Sequence, residues 1–259
     1  MLYSRQAGSG EPVILLHGLF GSLENLGGIA RQLSQDFTVH SVDLPNHGRS
    51  PHCSGTDLVV MAESVRDWML QFGLSGAWLV GHSLGGKVAM ELALSDGALV
   101  RGLVVMDIAP VDYKPRHEAV FRGLHAIDPA QLQSREEAEQ RLAEHVPEAA
   151  VRSFLLKNLV RENGAFRWRM NLADLEAQYT GLIRANRDGV FAGPVLFLKG
   201  GESDYMTADH RLPILQRFPQ AEYRVIAGSG HWLHADKPGL VSAQIKKFLQ
   251  KSIQDRPLP

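Results

Sequence analysis

Short apolar runs bounded by turn residues recur along the chain and constrain its fold more than any other feature. They are rich in Val, Ile and Leu, which suits strands buried on both faces of a sheet. The runs are 13–16, 38–42, 77–80, 103–106, 195–198 and 223–226. Amphipathic segments lie between them, and the clearest, 57–72, begins at Asp57, a residue suited to cap a helix. This alternation predicts an α/β fold with a mainly parallel central sheet and helices on both faces.

The alternation stops after Ala109, and residues 110–193 have a charged, helical pattern with no good strand. The helices predicted there are 136–145, 148–160 and 172–185. We expect 110–193 to be a helical cap (lid) insertion over the carboxyl ends of the strands, with 1–109 and 194–259 forming the core. A second domain of unrelated function is the alternative. The tail, 254–259, is expected to be disordered.

Charge and cysteine content exclude several classes of function. Twenty-seven basic and twenty-eight acidic residues give a net charge of −1, which indicates neither nucleic acid nor an anionic membrane as a partner. The first residues lack a basic and then apolar leader, and no apolar run reaches the roughly 18 residues of a membrane span. These features predict a cytoplasmic protein. Cys53 is the only cysteine, so neither an intrachain disulfide nor a thiolate metal cluster is expected. The oligomeric state stays open.

A serine between glycines follows the predicted strand 77–80, in Gly81-His82-Ser83-Leu84-Gly85-Gly86, and a run of helix-forming residues comes next. A strand, a G-x-S-x-G turn and a helix form a nucleophile elbow, in which the serine projects from a sharp turn. The helix N-terminus directs free N–H groups at the same point. Ser83 is therefore the predicted nucleophile.

The same stretch overlaps a nucleotide-binding motif. Gly81 and Gly86-Lys87 fit a P-loop up to its last position, where Val88 stands instead of the Ser or Thr that holds magnesium. Because a valine side chain cannot ligate a metal, a P-loop nucleotide binder is the weaker interpretation.

A histidine follows the last predicted strand, in Gly228-Ser229-Gly230-His231. Hydrolases with a nucleophile elbow carry their triad in the order Ser, acid, His, so His231 is the predicted general base. Two aspartates between Ser83 and His231 follow strand ends and could be the acid. Asp107 directly follows 103–106, whereas Asp204 follows 195–198 at the spacing that most hydrolases with a nucleophile elbow use. The residues alone leave both open.

Another glycine-rich turn follows the first strong strand, in His17-Gly18-Leu19-Phe20-Gly21. One backbone N–H from this turn and one from the start of the elbow helix can form an oxyanion hole. Leu19 and Leu84 are the expected donors, with Phe20 as the alternative. We expect His17 and His82 to be structural rather than catalytic.

Five motifs together resemble a known family. They are VILLHGLFGS (13–22), DLPNHGRS (43–50), GHSLGG (81–86), MDIAPVDY (106–113) and GSGHWLHADKP (228–238). Over nearly the whole chain the sequence resembles the α/β-hydrolase superfamily, and within it the small bacterial esterases typified by YbfF. Asn46 stands where the wider superfamily has glycine, and this asparagine is itself typical of the subfamily.

The resemblance implies a serine carboxylesterase that acts on small acyl esters, with acyl-CoA thioesters as a further substrate class, and with neither a metal nor an organic cofactor. It favours Asp107 as the triad acid, because these esterases generally lack a carboxylate at the position of Asp204. In this fold Phe20 and Trp232 would line the acyl site, and a bulky Trp beside the base favours short or narrow acyl chains. A lyase, a carbon–carbon hydrolase and a non-catalytic ligand-binding protein remain alternatives.

Overall fold

The computed structural model describes residues 1–255 of the chain. Its strands are β1 Ser4–Ala7, β2 Pro12–Leu16, β3 Thr38–Val42, β4 Ala77–His82, β5 Val100–Met106, β6 Leu159–Glu162, β7 Ala165–Trp168, β8 Val195–Gly200 and β9 Ala221–Ile226. Its helices are α1 Gly27–Leu33, α2 Leu58–Gln71, α3 Leu84–Ser95, α4 Glu118–His125, α5 Arg135–Ala143, α6 Ala149–Leu155, α7 Leu172–Ala177, α8 Tyr179–Ile183, α9 Arg211–Arg217, α10 Leu233–Asp236 and α11 Pro238–Gln254. The tail predicted to be disordered falls largely outside the described residues, except that its first residue ends α11.

Seven strands form one sheet in the order β1, β3, β2, β4, β5, β8, β9. Only β1 runs antiparallel to its neighbour, and every other pair is parallel. The prediction of a mainly parallel α/β sheet is confirmed. Strand β1 was not predicted, because this edge strand is largely exposed and carries no apolar run.

Helices cover both faces of the sheet, as predicted. Along β2, Ile14 and Leu16 belong to the apolar cluster that includes α2 and α3, whereas Val13 and Leu15 belong to the cluster that includes α1 and α11. Successive side chains of a strand point to opposite faces, so a continuous apolar run buries both. Within residues 1–255, every helix is too short or too polar to cross a lipid bilayer.

The segment 110–193, which we name the insert, differs from the predicted all-helical cap. It contains α4 to α8, but also an antiparallel hairpin of β6 and β7. The helix predicted over 148–160 therefore ends at Leu155, and this part of the prediction was wrong. Asn163 and Gly164 connect the two strands with positive φ angles of 50° and 85°. An Asn-Gly pair favours this tight hairpin turn, and it was the signal that the helical interpretation overlooked.

Polar side chains join the insert to the core. Asn46 takes the left-handed conformation (φ 63°), its Nδ2 donates to Asp174 at 2.6 Å, and its carbonyl accepts from Asn171 N–H at 2.9 Å. At the other end, the buried carboxylate of Glu91 on α3 accepts from Arg187 Nε at 2.6 Å. Hydrogen bonds of buried groups are costly to break, so these contacts hold the insert against the core at both of its ends.

Candidate active site

Ser83 lies in the turn between β4 and α3, in a backbone conformation that residues other than glycine rarely adopt. Its φ is 51° and its ψ is −117°. A Cβ on Gly81 would lie 2.2 Å from the carbonyl oxygen of Gly85, and a Cβ on Gly85 would lie 2.2 Å from that of Leu16. The close approach of backbone to backbone therefore requires glycine on both sides. Strained backbone of this kind costs about 1–3 kcal/mol and recurs at functional sites.

His231 lies in the loop between β9 and α10, and its imidazole connects two other side chains. Nε2 lies 3.1 Å from Oγ of Ser83, and Nδ1 lies 2.8 Å from Oδ2 of Asp107. Ser83 and Asp107 follow the neighbouring strands β4 and β5, so the parallel sheet brings them to one edge. The three side chains form a continuous hydrogen-bonded chain in the arrangement of a Ser-His-Asp triad.

Asp107 is fully buried, at 0% exposure, and its backbone is also left-handed, with a φ of 53°. Its carboxylate has donors besides His231. The N–H of Gly200, at the end of β8, donates to Oδ1 at 2.9 Å, and the hydroxyl of Ser203 donates to Oδ2. A buried carboxylate needs such donors to offset its lost hydration. Together they hold the carboxylate in place against the imidazole.

Asp204, the other candidate acid, does not reach the imidazole. Its carboxylate is 73% exposed and accepts two hydrogen bonds of 3.1 Å from the guanidinium of Arg116. Those hydrogen bonds lower the pKa of Asp204 below its usual value. The structure thus brings one of the two candidate aspartates to His231 and pairs the other with the insert.

Two aromatic rings hold the imidazole of His231 from its sides. The ring of Tyr205 stacks on it with centroids 3.7 Å apart and planes inclined by 14°. The ring of His82 lies 4.8 Å away, and its Nε2 donates to the carbonyl oxygen of His231 at 2.8 Å. Burial lowers the pKa of His82 well below its usual value, so this ring is neutral and supports the loop.

The three candidate oxyanion donors differ in availability. The N–H of Phe20 already donates to Nε2 of His47 at 3.2 Å. The hydrogen bonds within residues 1–255 leave the N–H groups of Leu19 and Leu84 without a partner. Both residues line a cavity together with Ser83. Free N–H groups beside a nucleophile can stabilise a developing oxyanion.

Ser83 opens onto a cavity of about 560 Å³, which is within the usual size range for small-molecule sites. The core contributes Phe20 and Trp232, two residues predicted to contact substrate, and the insert contributes Phe154. The rings of Phe154 and Trp232 are in contact, with centroids 5.6 Å apart. The wall is therefore largely aromatic and aliphatic, and it is shared between sheet loops and insert.

Comparisons with known proteins agree with this geometry. Residues 11–238 match the family described as having the alpha/beta hydrolase fold. The chain belongs to the α/β-hydrolase family. It is 38% identical over 240 residues to the esterase YbfF of Escherichia coli (strain K12), covering 92% of this chain and 93% of that protein.

Two further relatives are similar over most of the α/β-hydrolase chain. The mouse protein named sn-1-specific diacylglycerol lipase ABHD11 is 39% identical over 247 residues, covering 92% of this chain and 80% of that protein. A solved marine microorganism esterase superposes with a TM-score of 0.93 and 36% identity, covering 95% of this chain and 98% of the other. Esterase and lipase relatives and the fold together confirm the prediction of an ester-hydrolysing serine hydrolase.

Two buried histidines support the hydrolase's glycine-rich loop after β2. Nδ1 of His17 donates to Gly18 O at 2.8 Å, and its Nε2 accepts from Leu44 N–H at 3.0 Å. His47 in turn holds Phe20 through its own Nε2. Burial lowers the pKa of His17 to about 4 and that of His47 to about 3, so both rings are neutral near pH 7. A neutral ring is needed because Nε2 accepts a hydrogen bond.

The lysine that suggested a P-loop has a different position in the hydrolase. Lys87 is buried on α3, and its Nζ donates to Val111 O at 2.9 Å. Burial lowers its pKa to about 7. The hydrogen bond to Val111 shows that the Lys87 amino group supports the loop after Asp107 instead of facing a phosphate site. Among residues 1–255, no group of three or more His, Cys, Asp or Glu side chains is arranged to hold a metal ion.

Several residues of this site were not predicted from the sequence. Ser203, Tyr205 and Arg116 belong to no motif, and their contacts depend on how two loops meet. Asn158 was assigned to a helix, but its Nδ2 donates to the carbonyl oxygen of Phe20 at 2.7 Å. Asn158 is buried, which explains why it makes this contact, but its burial could not be read from the sequence.

Proposed function

We propose that the chain is a serine carboxylesterase in which Ser83 is the nucleophile, His231 the general base and Asp107 the triad acid. One observation carries the proposal, namely the hydrogen-bonded chain from Asp107 through His231 to Ser83. The exposure of Asp204 and its pairing with Arg116 favour Asp107 as the acid.

In the acylation step, Nε2 of His231 takes the proton of the Ser83 hydroxyl while Oγ bonds to the ester carbonyl carbon. The carbonyl oxygen becomes an oxyanion that accepts hydrogen bonds from the N–H groups of Leu19 and Leu84. As the intermediate collapses, the bond to the leaving oxygen or sulfur breaks and His231 returns its proton to that atom. Water then attacks the acyl-enzyme with His231 as base, and Ser83 recovers its proton as the acid product leaves.

Asp107 accepts from Nδ1–H of His231 in this mechanism, which keeps Nε2 free to accept the proton of Ser83. It also stabilises the imidazolium that forms during the reaction. The Gly200 N–H and the Ser203 hydroxyl support this role, because they prevent the carboxylate from turning away from His231. Tyr205 limits movement of the imidazole by stacking on it.

The proposed substrates are small acyl esters, with acyl-CoA thioesters as a second class that the same chemistry can cleave. We propose that residues 110–193 act as the lid of the site and that Phe20 and Trp232 contact the substrate. Support comes from the cavity wall, to which Phe20, Trp232 and the insert residue Phe154 all contribute. The diacylglycerol lipase activity in the name of the mouse relative is a related ester hydrolysis, and it makes glycerides worth testing as well.

The test combines labelling with activity. A fluorophosphonate probe should label the wild-type protein and not Ser83→Ala, whose kcat for p-nitrophenyl acetate should fall by about 10⁶. Ser9→Ala, which removes an exposed serine in the loop between β1 and β2, should keep both labelling and activity. Substantial activity in purified, folded Ser83→Ala would contradict the proposal. A panel of p-nitrophenyl esters, acyl-CoAs and diacylglycerol would then rank the substrate classes.

A further inference from the structure

Ser83 lies where two cavities of very different size meet. The large cavity measures about 560 Å³ and the small one about 40 Å³, and both are lined by Ser83 and Leu19. A volume of 40 Å³ has room for roughly two or three groups the size of a water molecule. The acyl substituent and the leaving group of a bound ester would therefore have very different amounts of space.

The position of His231 decides which half of the ester enters which cavity. During acylation His231 must return its proton to the leaving atom, so the leaving group must lie on the His231 side of the carbonyl carbon. His231, Trp232 and His234 line the large cavity, as does Phe20, which puts Phe20 and Trp232 on the leaving-group side and not in the acyl site expected from the sequence. The small cavity instead has Leu84 in its wall, one of the two proposed oxyanion donors. The acyl substituent is thus directed away from His231, into the small cavity.

The wall of the small cavity suits an apolar group. Ile108 and Leu182 line it and are buried. Two polar groups among the less exposed residues of this wall have partners, because Lys87 Nζ donates to a backbone carbonyl and the hydroxyl of Tyr113 donates to Tyr205 O at 2.7 Å. Lys114 also lines the cavity, but it is exposed to solvent. Beside Ile108 and Leu182, a charged or hydroxylated acyl chain would lose its hydration without gaining hydrogen bonds.

We infer that the small cavity is the acyl compartment, so that the enzyme is selective for esters and thioesters of short, apolar acyl groups carried on a large leaving group. The compartment accepts acyl groups of about two to four carbons. The leaving group has the whole of the large cavity, which is of the size that binds drug-like molecules. The inference rests on the proposed function, since it assumes that Ser83 is acylated.

The first experiment varies the two halves of the substrate separately. With p-nitrophenol as the fixed leaving group, kcat/KM should fall at least about tenfold between butanoate and octanoate, because the octanoyl chain exceeds the small cavity. With acetate as the fixed acyl group, octyl acetate should be hydrolysed at least as well as ethyl acetate. Octanoate hydrolysed as fast as butanoate, together with poor hydrolysis of octyl acetate, would overturn the inference.

The second experiment uses a matched pair of leucines in the insert. Leu182 lines the small cavity and Leu155 the large one, and each is 1% exposed. Leu182→Ala should raise the octanoate to butanoate ratio of kcat/KM about tenfold, whereas Leu155→Ala should leave that ratio unchanged and alter the profile of acetate esters. The reverse result would assign the acyl group to the large cavity.

Leu→Ala in a core can be strongly destabilising, so Leu182→Val and Leu155→Val serve as milder variants, with circular dichroism to check folding. Fluorophosphonate labelling of Ser83 distinguishes failure of the proposed function from failure of the acyl-compartment inference. A protein that is neither labelled nor active on any ester contradicts the proposed function. A labelled, active enzyme that prefers long acyl chains contradicts only the acyl compartment.

Discussion

The central sheet and the insert contribute different groups to one site. The three side chains of the hydrogen-bonded chain, Ser83, Asp107 and His231, all follow strands of the sheet. The insert contributes cavity wall, including Leu155 and Leu182, and no member of that chain. We therefore expect the rate of the chemical step to depend on the sheet and the choice of substrate to depend mainly on the insert.

The two regions also differ in how their residues are held. Asp107 is fixed by backbone and side-chain donors at the ends of neighbouring strands, whose spacing the sheet itself sets. The insert is held by separate polar contacts, such as Asn46 with Asp174 and Arg187 with Glu91. We therefore expect substitutions in the two regions to have distinct kinetic effects.

Among the substitutions that test this comparison, the largest effect is expected at Asp107, which follows β5 of the sheet. Asp107→Asn should lower kcat by about 10⁴, because an amide that donates toward Nδ1 holds the wrong tautomer of His231. Asp204→Asn should change kcat less than about threefold, since it removes only an exposed ion pair with Arg116. Both variants are to be assayed side by side with p-nitrophenyl acetate. A large loss in Asp204→Asn alone would transfer the acid to the loop after β8 and contradict the assignment of Asp107.

The sheet was largely predictable from sequence, and the insert was not. Buried parallel strands carry continuous apolar runs, so β2, β3, β4, β5, β8 and β9 could all be recognised. In the insert, charged residues at helical spacing concealed β6 and β7, and only Asn163-Gly164 indicated the hairpin. The exposed edge strand β1 has no such signal at all.

Within the site, motifs identified residues but not their partners. Ser83 and His231 could be proposed because the elbow and the glycine-rich loop need particular residue types at fixed spacing. Asp107 and Asp204 both follow strand ends, so their spacing did not distinguish them. The outcome depends on turn geometry, in which the left-handed backbone at Asp107 directs its carboxylate to Gly200 and His231. Aspartate is enriched among left-handed residues, but the sequence does not show which aspartate adopts that conformation.

A smaller effect should arise where the insert supports the glycine-rich loop after β2, which carries the proposed oxyanion donor Leu19. Asn158→Ala removes the hydrogen bond to the carbonyl oxygen of Phe20, and with it the restraint on the neighbouring Leu19 N–H. We expect kcat to fall about tenfold with KM nearly unchanged, which is less than the 10²–10³ of deleting a donor outright. Asn171→Ala is the matched control, because it breaks a contact between insert and core at Asn46 instead. Equal losses of kcat in the two variants would indicate general loosening of the insert.

The smallest expected effect concerns stability in mild acid. His47 holds Phe20 through a neutral ring, and burial lowers its pKa to about 3, against about 6.5 when unfolded. Between these values the unfolded chain binds a proton that the folded chain does not, so the free energy of unfolding falls as pH falls. From pH 6.5 to 5.5 this one histidine should cost about 1 kcal/mol. His47→Gln cannot titrate but can still accept from Phe20 N–H, so it should lose about that much less stability over the same interval. Urea unfolding of both proteins at the two pH values measures the difference. Parallel pH dependences would show that His47 is not held neutral in the folded protein.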